Sequence, residues 1–240
     1  ANDRLEALLK SHMNLEFSEC LSDSSVSPSK EDKQFVKIME EGVRLTKDCH
    51  FEAPLPFRSN DIKVPDNKPQ ASMFIQHLRK RLGKDSNLLK QYTEFMEGME
   101  KKGYAERVPE EELSRCDGRV WYIPHHAVKH PQKRKVRVVF NCPASYKGSS
   151  LNGLLLQGPD MTNRLVGILH RWRRGDVAVV ADIEAMYYQV RVPLDQRDML
   201  RYLWWPNGNL LCAPQVYRMK VHVFGAVSSP SVANYCLKRC

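Results

Sequence analysis

The sequence predicts an α+β fold, in which a helical first part precedes a second part of short strands interrupted by helices. Three observations support this prediction. Apolar residues recur at helical spacing between residues 29 and 110, β-rich runs joined by turn signals begin near residue 119, and helical patterns return within that second part. The 240 residues are also enough to bury a sizeable core.

The first helix is predicted to begin after residues 1–28, which read as a linker or disordered segment because they contain the stretch SDSSVSPS. Ser29 followed by Asp32 resembles a capping box. The apolar residues that then keep helical spacing are Phe35, Ile38, Met39 and Val43. The next stretch, HFEAPLPF, is predicted to be a short extended segment broken by its prolines.

Two more helices are predicted before residue 110. The first of them carries Phe74, Leu78 and Leu82 at helical spacing. The other presents a wider apolar face made of Leu88, Leu89, Tyr92, Phe95, Met96 and Met99. Gly103 follows as its expected stop. We assign these stripes to helix packing, so that residues 29–110 form a helical N-terminal region that offers little chemistry.

The second part begins with RVWYIPHHAVKHP and KRKVRVVFN, two β-rich runs around a basic, Pro-containing turn, which predict a hairpin. A helix over DMTNRLVGILHRWRRG, with Asp160 as its N-cap, and a strand over DVAVVADI come next. RYLWW and VYRMKVHVFG flank the turn PNGN and predict a second hairpin. Ser229 then caps, and Pro230 begins, a final helix.

The charge balance is strongly basic, because 37 Lys and Arg residues oppose 28 Asp and Glu residues for a net charge of +9. This excess favours a polyanionic partner, of which nucleic acid is the commonest, but charge alone leaves a merely basic protein as an equal alternative. Seven widely spaced cysteines without a C-x-x-C pair argue against a zinc site or a disulfide framework, so reduced thiols in an intracellular compartment are expected. No apolar run approaches the roughly 20 residues needed to cross a bilayer, and no membrane contact is expected.

Asp182, at the end of the predicted apolar strand, is the acid that most needs an explanation. On periodicity alone a structural role is favoured, because such a carboxylate can cap a turn or pair with a nearby arginine. The neighbouring residues His125 and His126 invite a metal interpretation. Adjacent strand residues point to opposite faces, however, so we expect core or surface positions for both.

Several stretches, taken in order, change the interpretation of Asp182. ADIEAMYYQVRVPLDQRDMLRYLWW resembles the first catalytic motif of reverse transcriptases, an Asp on a palm strand followed five residues later by an aromatic residue. VFGAVSSPSVANYCL resembles their later glycine–serine–proline motif, and KVRVVFNCPASYKGSSLNGLLLQGPDM resembles the fingers segment before the palm. Together with HFEAPLPF and KKGYAERVP, these stretches look most like the Bel/Pao group of LTR retrotransposons, over roughly residues 30–240.

The resemblance implies a right-hand polymerase, with a partial reverse transcriptase domain over residues 111–240. Its fingers would comprise residues 111–159 and 191–227, and its palm residues 160–190 and 228–240. The implied activity is that of an RNA-directed DNA polymerase, which adds dNTPs to a primer 3′-hydroxyl by two-metal nucleotidyl transfer.

By the same resemblance, Asp182 and the backbone carbonyl of Ile183 are the implied ligands of Mg²⁺ or Mn²⁺, since hard cations take oxygen ligands. The amide groups of Ala185 and Met186 are implied to face the incoming triphosphate. Tyr187 is implied to stack under the deoxyribose, where its ring leaves no room for a 2′-hydroxyl. The implied preference is for dNTPs over rNTPs.

Three further positions match dNTP contacts of the family. Arg137 matches the fingers arginine that contacts the triphosphate. The fingers lysine falls near Lys129, although His130 competes for the same register. Gly225 is implied to let the backbone approach nucleotide and template closely, and Phe224 stands where retroviral relatives place Gln.

The candidate contacts with an RNA or DNA template–primer are exposed basic side chains. They are Lys133, Arg134, Lys135, Arg171, Arg173 and Arg174. A solvated turn remains the alternative for Lys133 and Arg134, and simple exposure the alternative for the three arginines.

Reverse transcriptases carry two further aspartates in a Y-x-D-D hairpin, and this sequence contains no Asp-Asp pair. We expect that hairpin, with the rest of the palm, the thumb and any RNase H or integrase, downstream in a polyprotein. The chain alone is predicted to be inactive, because one carboxylate in place of three binds Mg²⁺ weakly. The alternatives are a non-catalytic nucleic-acid-binding protein derived from such an element, and a basic module with a coincidental motif. A cytoplasmic location or a virus-like particle is expected.

Overall fold

The computed structural model describes residues 28–129 and 136–240 and confirms a mixed α+β protein. The predicted linker and the hairpin tip with His130, Lys133, Arg134 and Lys135 lie outside the described residues, except for Pro28. The helices are α1 (Lys30–Gly42), α2 (Lys68–Leu82), α3 (Ser86–Lys101), α4 (Leu151–Leu154), α5 (Leu165–Trp172) and α6 (Ser229–Leu237). The strands are β1 (Arg44–Leu45), β2 (Phe51–Glu52), β3 (Ala105–Arg107), β4 (His125–Lys129), β5 (Val136–Phe140), β6 (Val190–Arg191), β7 (Arg201–Trp204) and β8 (Gln215–Met219).

The capping box at the start of α1 is confirmed. The Ser29 hydroxyl accepts from the Asp32 amide at 3.0 Å, and the Ser29 amide donates to the Asp32 carboxylate at 3.2 Å. These bonds satisfy two of the amides that a helix start leaves without partners. Phe35 and Met39 are fully buried, so the predicted apolar stripe of α1 faces the core.

The helices α2 and α3 follow the sequence prediction with one exception. Leu78 and Leu82 of α2 are buried, but Phe74 is 42% exposed, because Ala71 and Ile75 occupy the core-facing positions of that turn. In α3 the predicted stripe is confirmed, with its buried members being Leu88, Tyr92, Met96 and Met99. Gly103 ends α3 in the left-handed region, at φ 72°.

The strands of the described residues form three small sheets. β8 lies between β3 and β7 in an antiparallel sheet, β4 pairs with β5 as the first predicted hairpin, and β2 lies between β1 and a parallel β6. The second predicted hairpin, β7 with β8, is confirmed in its pairing. Its connection over residues 205–214 contains a 3₁₀ turn at Pro206–Gly208 and is longer than a tight turn.

The strand predicted over DVAVVADI is wrong for the described chain. Residues 176–183 form no strand, and Val177, Val179 and Val180 are 81%, 82% and 83% exposed. A strand exists only where a neighbour satisfies its backbone groups, and no described strand pairs with this segment.

The predicted N-cap of α5 is also wrong. The helix begins at Leu165, and Asp160 instead accepts from the Thr162 amide at 2.9 Å and its hydroxyl at 2.7 Å. This local turn competes with helix formation for the same backbone amide. No residue of α5 is buried. At α6, Ser228 rather than Ser229 holds the N-cap position, and the Ser229 hydroxyl donates to the Val223 carbonyl at 2.8 Å.

A buried ion network joins β7, β8 and the segments before them. The Asp198 carboxylate accepts from Arg201 at 2.8 Å, from Arg115 at 2.7 Å and from Arg218 at 3.1 Å. Arg218 also donates to Glu106 of β3 at 2.8 Å. Burial raises the pKa of Asp198, but the hydrogen bonds from Arg201 and Arg115 outweigh it, and the pKa lies below its ordinary value.

None of the helices in the described part of the chain combines the length and the apolar character needed to span a membrane.

Candidate functional site

The candidate site is the corner where the turn after Glu184, the loop before α6 and the end of β5 meet. The ring of Tyr187 lies 4.4 Å from that of Phe224, centroid to centroid, and Tyr188 meets the same ring edge-on at 5.1 Å. Two stretches that stand apart in the sequence, each carrying one of the recognised motifs, are therefore in direct contact. Tyr187 as a whole residue is only partly buried.

Gly225 brings the loop before α6 against β5. Its φ of +116° lies in the region that favours glycine, and a Cβ added there would stand 2.3 Å from the Phe140 carbonyl oxygen. The close approach seen here is to the backbone of the strand that carries Arg137, whereas the approach expected from the sequence is to nucleotide and template, which stays a prediction.

Asn152 of α4 fixes that loop, and sequence reasoning missed it. Its side-chain amide donates to the Gly225 carbonyl at 3.1 Å, and its side-chain oxygen accepts from the Val227 amide at 3.0 Å. These two hydrogen bonds fix the loop at Gly225 and at Val227. No periodicity identifies such a residue, because its role depends on a loop that lies far along the chain.

The turn that carries Ala185, Met186 and Tyr187 has an unusual backbone. Ala185 is in the left-handed region, at φ 51° and ψ 44°, and its carbonyl accepts from the Tyr188 amide at 2.8 Å. A non-glycine residue there is strained by about 1–2 kcal/mol, a cost more often found at functional sites than elsewhere. The Gln189 side chain holds the turn by donating to the Glu184 carbonyl at 2.9 Å.

Asp182 and Ile183 precede that turn and are both exposed. The nearest acid in sequence, Glu184, forms an ion pair with Lys102 at 3.2 Å and is 86% exposed. Among the described residues there is no group of three side chains that could hold a metal ion. Asp182 alone does not fit the ligand set that Mg²⁺ or Mn²⁺ requires, so no metal-dependent step is assigned to this chain.

Arg137 lies on β5, directly opposite Val128 of β4, and its side chain is exposed. Successive side chains of β5 point to opposite faces of the sheet, as the burial of the next residue, Val138, shows. Lys129 holds the next register position, opposite Val136. Arg171, on α5, and Arg173 and Arg174, just after it, are exposed, as a contact with a template would require.

The two histidines of β4 lie as predicted on opposite faces. His126 is exposed, whereas His125 is buried between the hydroxyl of Tyr92 and the carbonyl of Leu203, to which Nε2 donates at 2.8 Å. Burial lowers the pKa of His125 to about 4, so the ring is neutral at physiological pH. His125 is therefore a core residue and is not positioned to bind a metal.

Cys142 lies beneath the candidate site, with its sulfur 3.5 Å from the position of a Cβ at Gly225. Burial raises the pKa of the Cys142 thiol to about 12. A thiol that stays protonated is a poor nucleophile, so Cys142 acts as an apolar wall of the site.

Comparison of the chain with models of known protein families, and with curated proteins, gives no match.

Proposed function

We propose that this chain forms the fingers and the first part of the palm of an RNA-directed DNA polymerase encoded by a retrotransposon of the Bel/Pao group. The observation that carries the proposal is the contact between the rings of Tyr187 and Phe224, next to the point where the Gly225 backbone packs against β5. Three stretches that resemble separate reverse transcriptase motifs meet at this one corner. A chance resemblance would not require them to be neighbours.

In this proposal the corner receives a dNTP. Tyr187 offers its ring for the sugar, the backbone at Ala185 and Met186 faces the triphosphate, and Arg137 and Lys129 neutralise its charge. Gly225 would let the backbone approach the nucleotide and template closely. The net charge of +9 supports a nucleic-acid template–primer as the second partner.

The metal site is the part that this chain cannot complete. Asp182 would contribute one carboxylate, and the Ile183 carbonyl another oxygen, to Mg²⁺ or Mn²⁺. We propose that a Y-x-D-D hairpin elsewhere in a polyprotein supplies the other two carboxylates. The apolar segment 176–183, exposed here, would then find in that hairpin the strand partner it lacks among the described residues.

The competing proposal is a nucleic-acid-binding protein that derives from such an element and performs no catalysis. The exposed position of Asp182, without further metal ligands in the described chain, favours this reading as much as an incomplete palm does. In either case we propose an intracellular site of action, in the cytoplasm or a virus-like particle.

Sequencing the natural transcript past the codon for Cys240 separates the two proposals. An open frame that reaches a Y-x-D-D motif supports the polymerase. The translated product should then extend a DNA primer on an RNA template, and Asp182→Asn should abolish extension while template–primer binding persists.

Tyr187→Ala in that extended product should raise rNTP incorporation relative to dNTP, because the ring that excludes the 2′-hydroxyl is lost. Tyr235→Ala, on α6 and outside the corner, is the matched control. A stop codon directly after Cys240 would overturn the polymerase and leave nucleic-acid binding as the function.

A further inference from the structure

We infer that the turn between α2 and α3 is a second, sequence-independent contact for the phosphate backbone of nucleic acid, separate from the dNTP corner. The surface, termed here the α2–α3 basic patch, consists of Arg79, Lys80, Arg81, Lys84 and Lys90. The inference rests on the proposed function in one respect, since its polyanion is taken to be the same template–primer.

All five side chains of the patch are exposed, and none of them forms an ion pair with another residue in the described part of the chain. Several cations elsewhere are paired with acids. Arg44 pairs with Glu52, Arg58 with Glu31 and Arg191 with Asp48. The patch therefore places five unpaired cations within residues 79–90 of the chain.

The helix geometry spreads this charge over one continuous face. Leu78 and Leu82 are buried, so the three cations between them span the whole solvent side of the last turn of α2. That turn is about 10 Å wide, a length over which one DNA strand carries about three phosphates.

Helix stability explains only part of the patch. Cations in the last turn of α2 complement its dipole, so Arg79, Lys80 and Arg81 have a structural reason to be there. Lys84 has no such reason, because it directly precedes the N-cap residue Asp85 of α3, where the dipole disfavours positive charge. An anion bound at the patch accounts for a cation at an end of α3 that would be better served by an acid.

The patch also adjoins the strand that carries Arg137. The Val136 amide at the start of β5 donates to the side chain of Gln91, next to Lys90, at 3.0 Å. A nucleic-acid strand that leaves the neighbourhood of β5 across α3 therefore meets the patch directly. Asp85 is the acid within the turn, and its carboxylate caps the Leu88 amide at 2.9 Å.

The test compares two sets of four substitutions that remove the same charge. The patch variant is Arg79→Gln, Lys80→Gln, Arg81→Gln and Lys84→Gln. The control variant is Lys30→Gln, Lys33→Gln, Lys47→Gln and Lys63→Gln, all exposed and remote in sequence from the patch. Binding of a labelled RNA–DNA template–primer is measured by fluorescence anisotropy at a series of salt concentrations. The patch variant should flatten the slope of log affinity against log salt by about 3, and the control should leave it unchanged.

A second variant protects the test against a folding artefact. Lys84→Glu with Lys90→Glu places acids at the N-terminal end of α3, so its thermal midpoint should stay equal or rise, while affinity falls at least tenfold. If the wild-type chain binds no template–primer, the proposed function and the patch both fail. If the wild type binds and the patch and control variants respond alike, the patch alone is overturned.

Discussion

Single residues decide the shape of the candidate site, and Gly225 is the clearest of them. Its backbone passes so close to β5 that a methyl group would overlap the Phe140 carbonyl oxygen. Gly148 has a similarly positive φ of 80° but open space where a Cβ would stand. Alanine substitutions at the two glycines therefore separate the energetic cost of the backbone conformation from the cost of the steric overlap with β5.

Gly225→Ala should lower the free energy of unfolding by about 3 kcal/mol or more, since the strain of the backbone and the overlap with Phe140 add. Gly148→Ala should cost only about 1–2 kcal/mol, the conformational part alone. Urea unfolding of both variants checks the difference. Equal losses would mean that the loop moves away from β5 without resistance.

Two buried histidines make the stability depend on pH. Burial lowers the pKa of His125 and of His222 to about 4, whereas both titrate near 6.5 when unfolded. Below pH 6.5 both histidines bind a proton in the unfolded chain, whereas in the folded chain they remain neutral until the pH approaches 4. Stability is therefore complete above pH 6.5 and falls as the pH drops towards 4.

Between pH 7.5 and pH 5.0 each of these histidines should remove about 2 kcal/mol from the free energy of unfolding. The His222 ring donates only to the Ala53 carbonyl, at 3.0 Å, so a glutamine can replace that bond. Urea unfolding at both pH values should show the pH-dependent loss in His222→Gln reduced by about half. An unchanged loss would show that His222 is protonated in the folded state.

At the scale of elements, the Asp198 network holds β7 and β8 to the loop before β4. Its carboxylate is 1% exposed and accepts from three guanidinium groups, of which Arg201 is fully buried. The folded-state pKa of Asp198 is depressed, so its contribution is present above the ordinary pKa and is lost as the pH falls through the lower value.

Asp198→Asn should cost about 3–5 kcal/mol, because it leaves buried guanidinium charge without its partner. Asp117→Asn is the matched control, since Asp117 pairs with the same Arg115 but is 45% exposed. Its loss should stay below about 1 kcal/mol. Guanidinium chloride would screen these charges, so urea is the denaturant of choice. Similar losses for the two variants would place the stabilisation outside the network.

At the scale of the whole molecule, the proposed function makes separate predictions for nucleic-acid binding and for catalysis. In the proposed function the net charge of +9 and the α2–α3 basic patch would bind the polyanion, whereas Asp182 would supply a single carboxylate to a metal site that the described residues do not complete. We therefore expect a chain that binds a template–primer and cannot extend it.

Incubation of the 240-residue chain with RNA template, DNA primer, dNTPs and either Mg²⁺ or Mn²⁺ should give no incorporation above background. A complete reverse transcriptase in the same assay is the positive control. Binding to the same template–primer should weaken linearly with the logarithm of salt concentration. Template-dependent incorporation by the chain alone would contradict the incomplete metal site.

The sequence by itself determined the elements whose signals are local. The capping box at Ser29, the apolar stripe of α3 and the stop at Gly103 depend on residues close together in the chain, and the β4–β5 hairpin pairs two neighbouring runs. Such signals act through short-range hydrogen bonds, helical spacing and turns between adjacent segments, so they can be identified in the sequence itself.

Only the tertiary structure decided the features that need a distant partner. Residues 176–183 have the composition of a strand, yet they form none among the described residues, because a strand depends on a neighbour for its hydrogen bonds. Ile75 rather than Phe74 reached the core for the same kind of reason, since burial depends on what packs against the helix. The meeting of Tyr187 with Phe224, and of Asn152 with Gly225, joins segments that are far apart along the chain. Long-range packing brings those segments together, and no pattern within either segment specifies it.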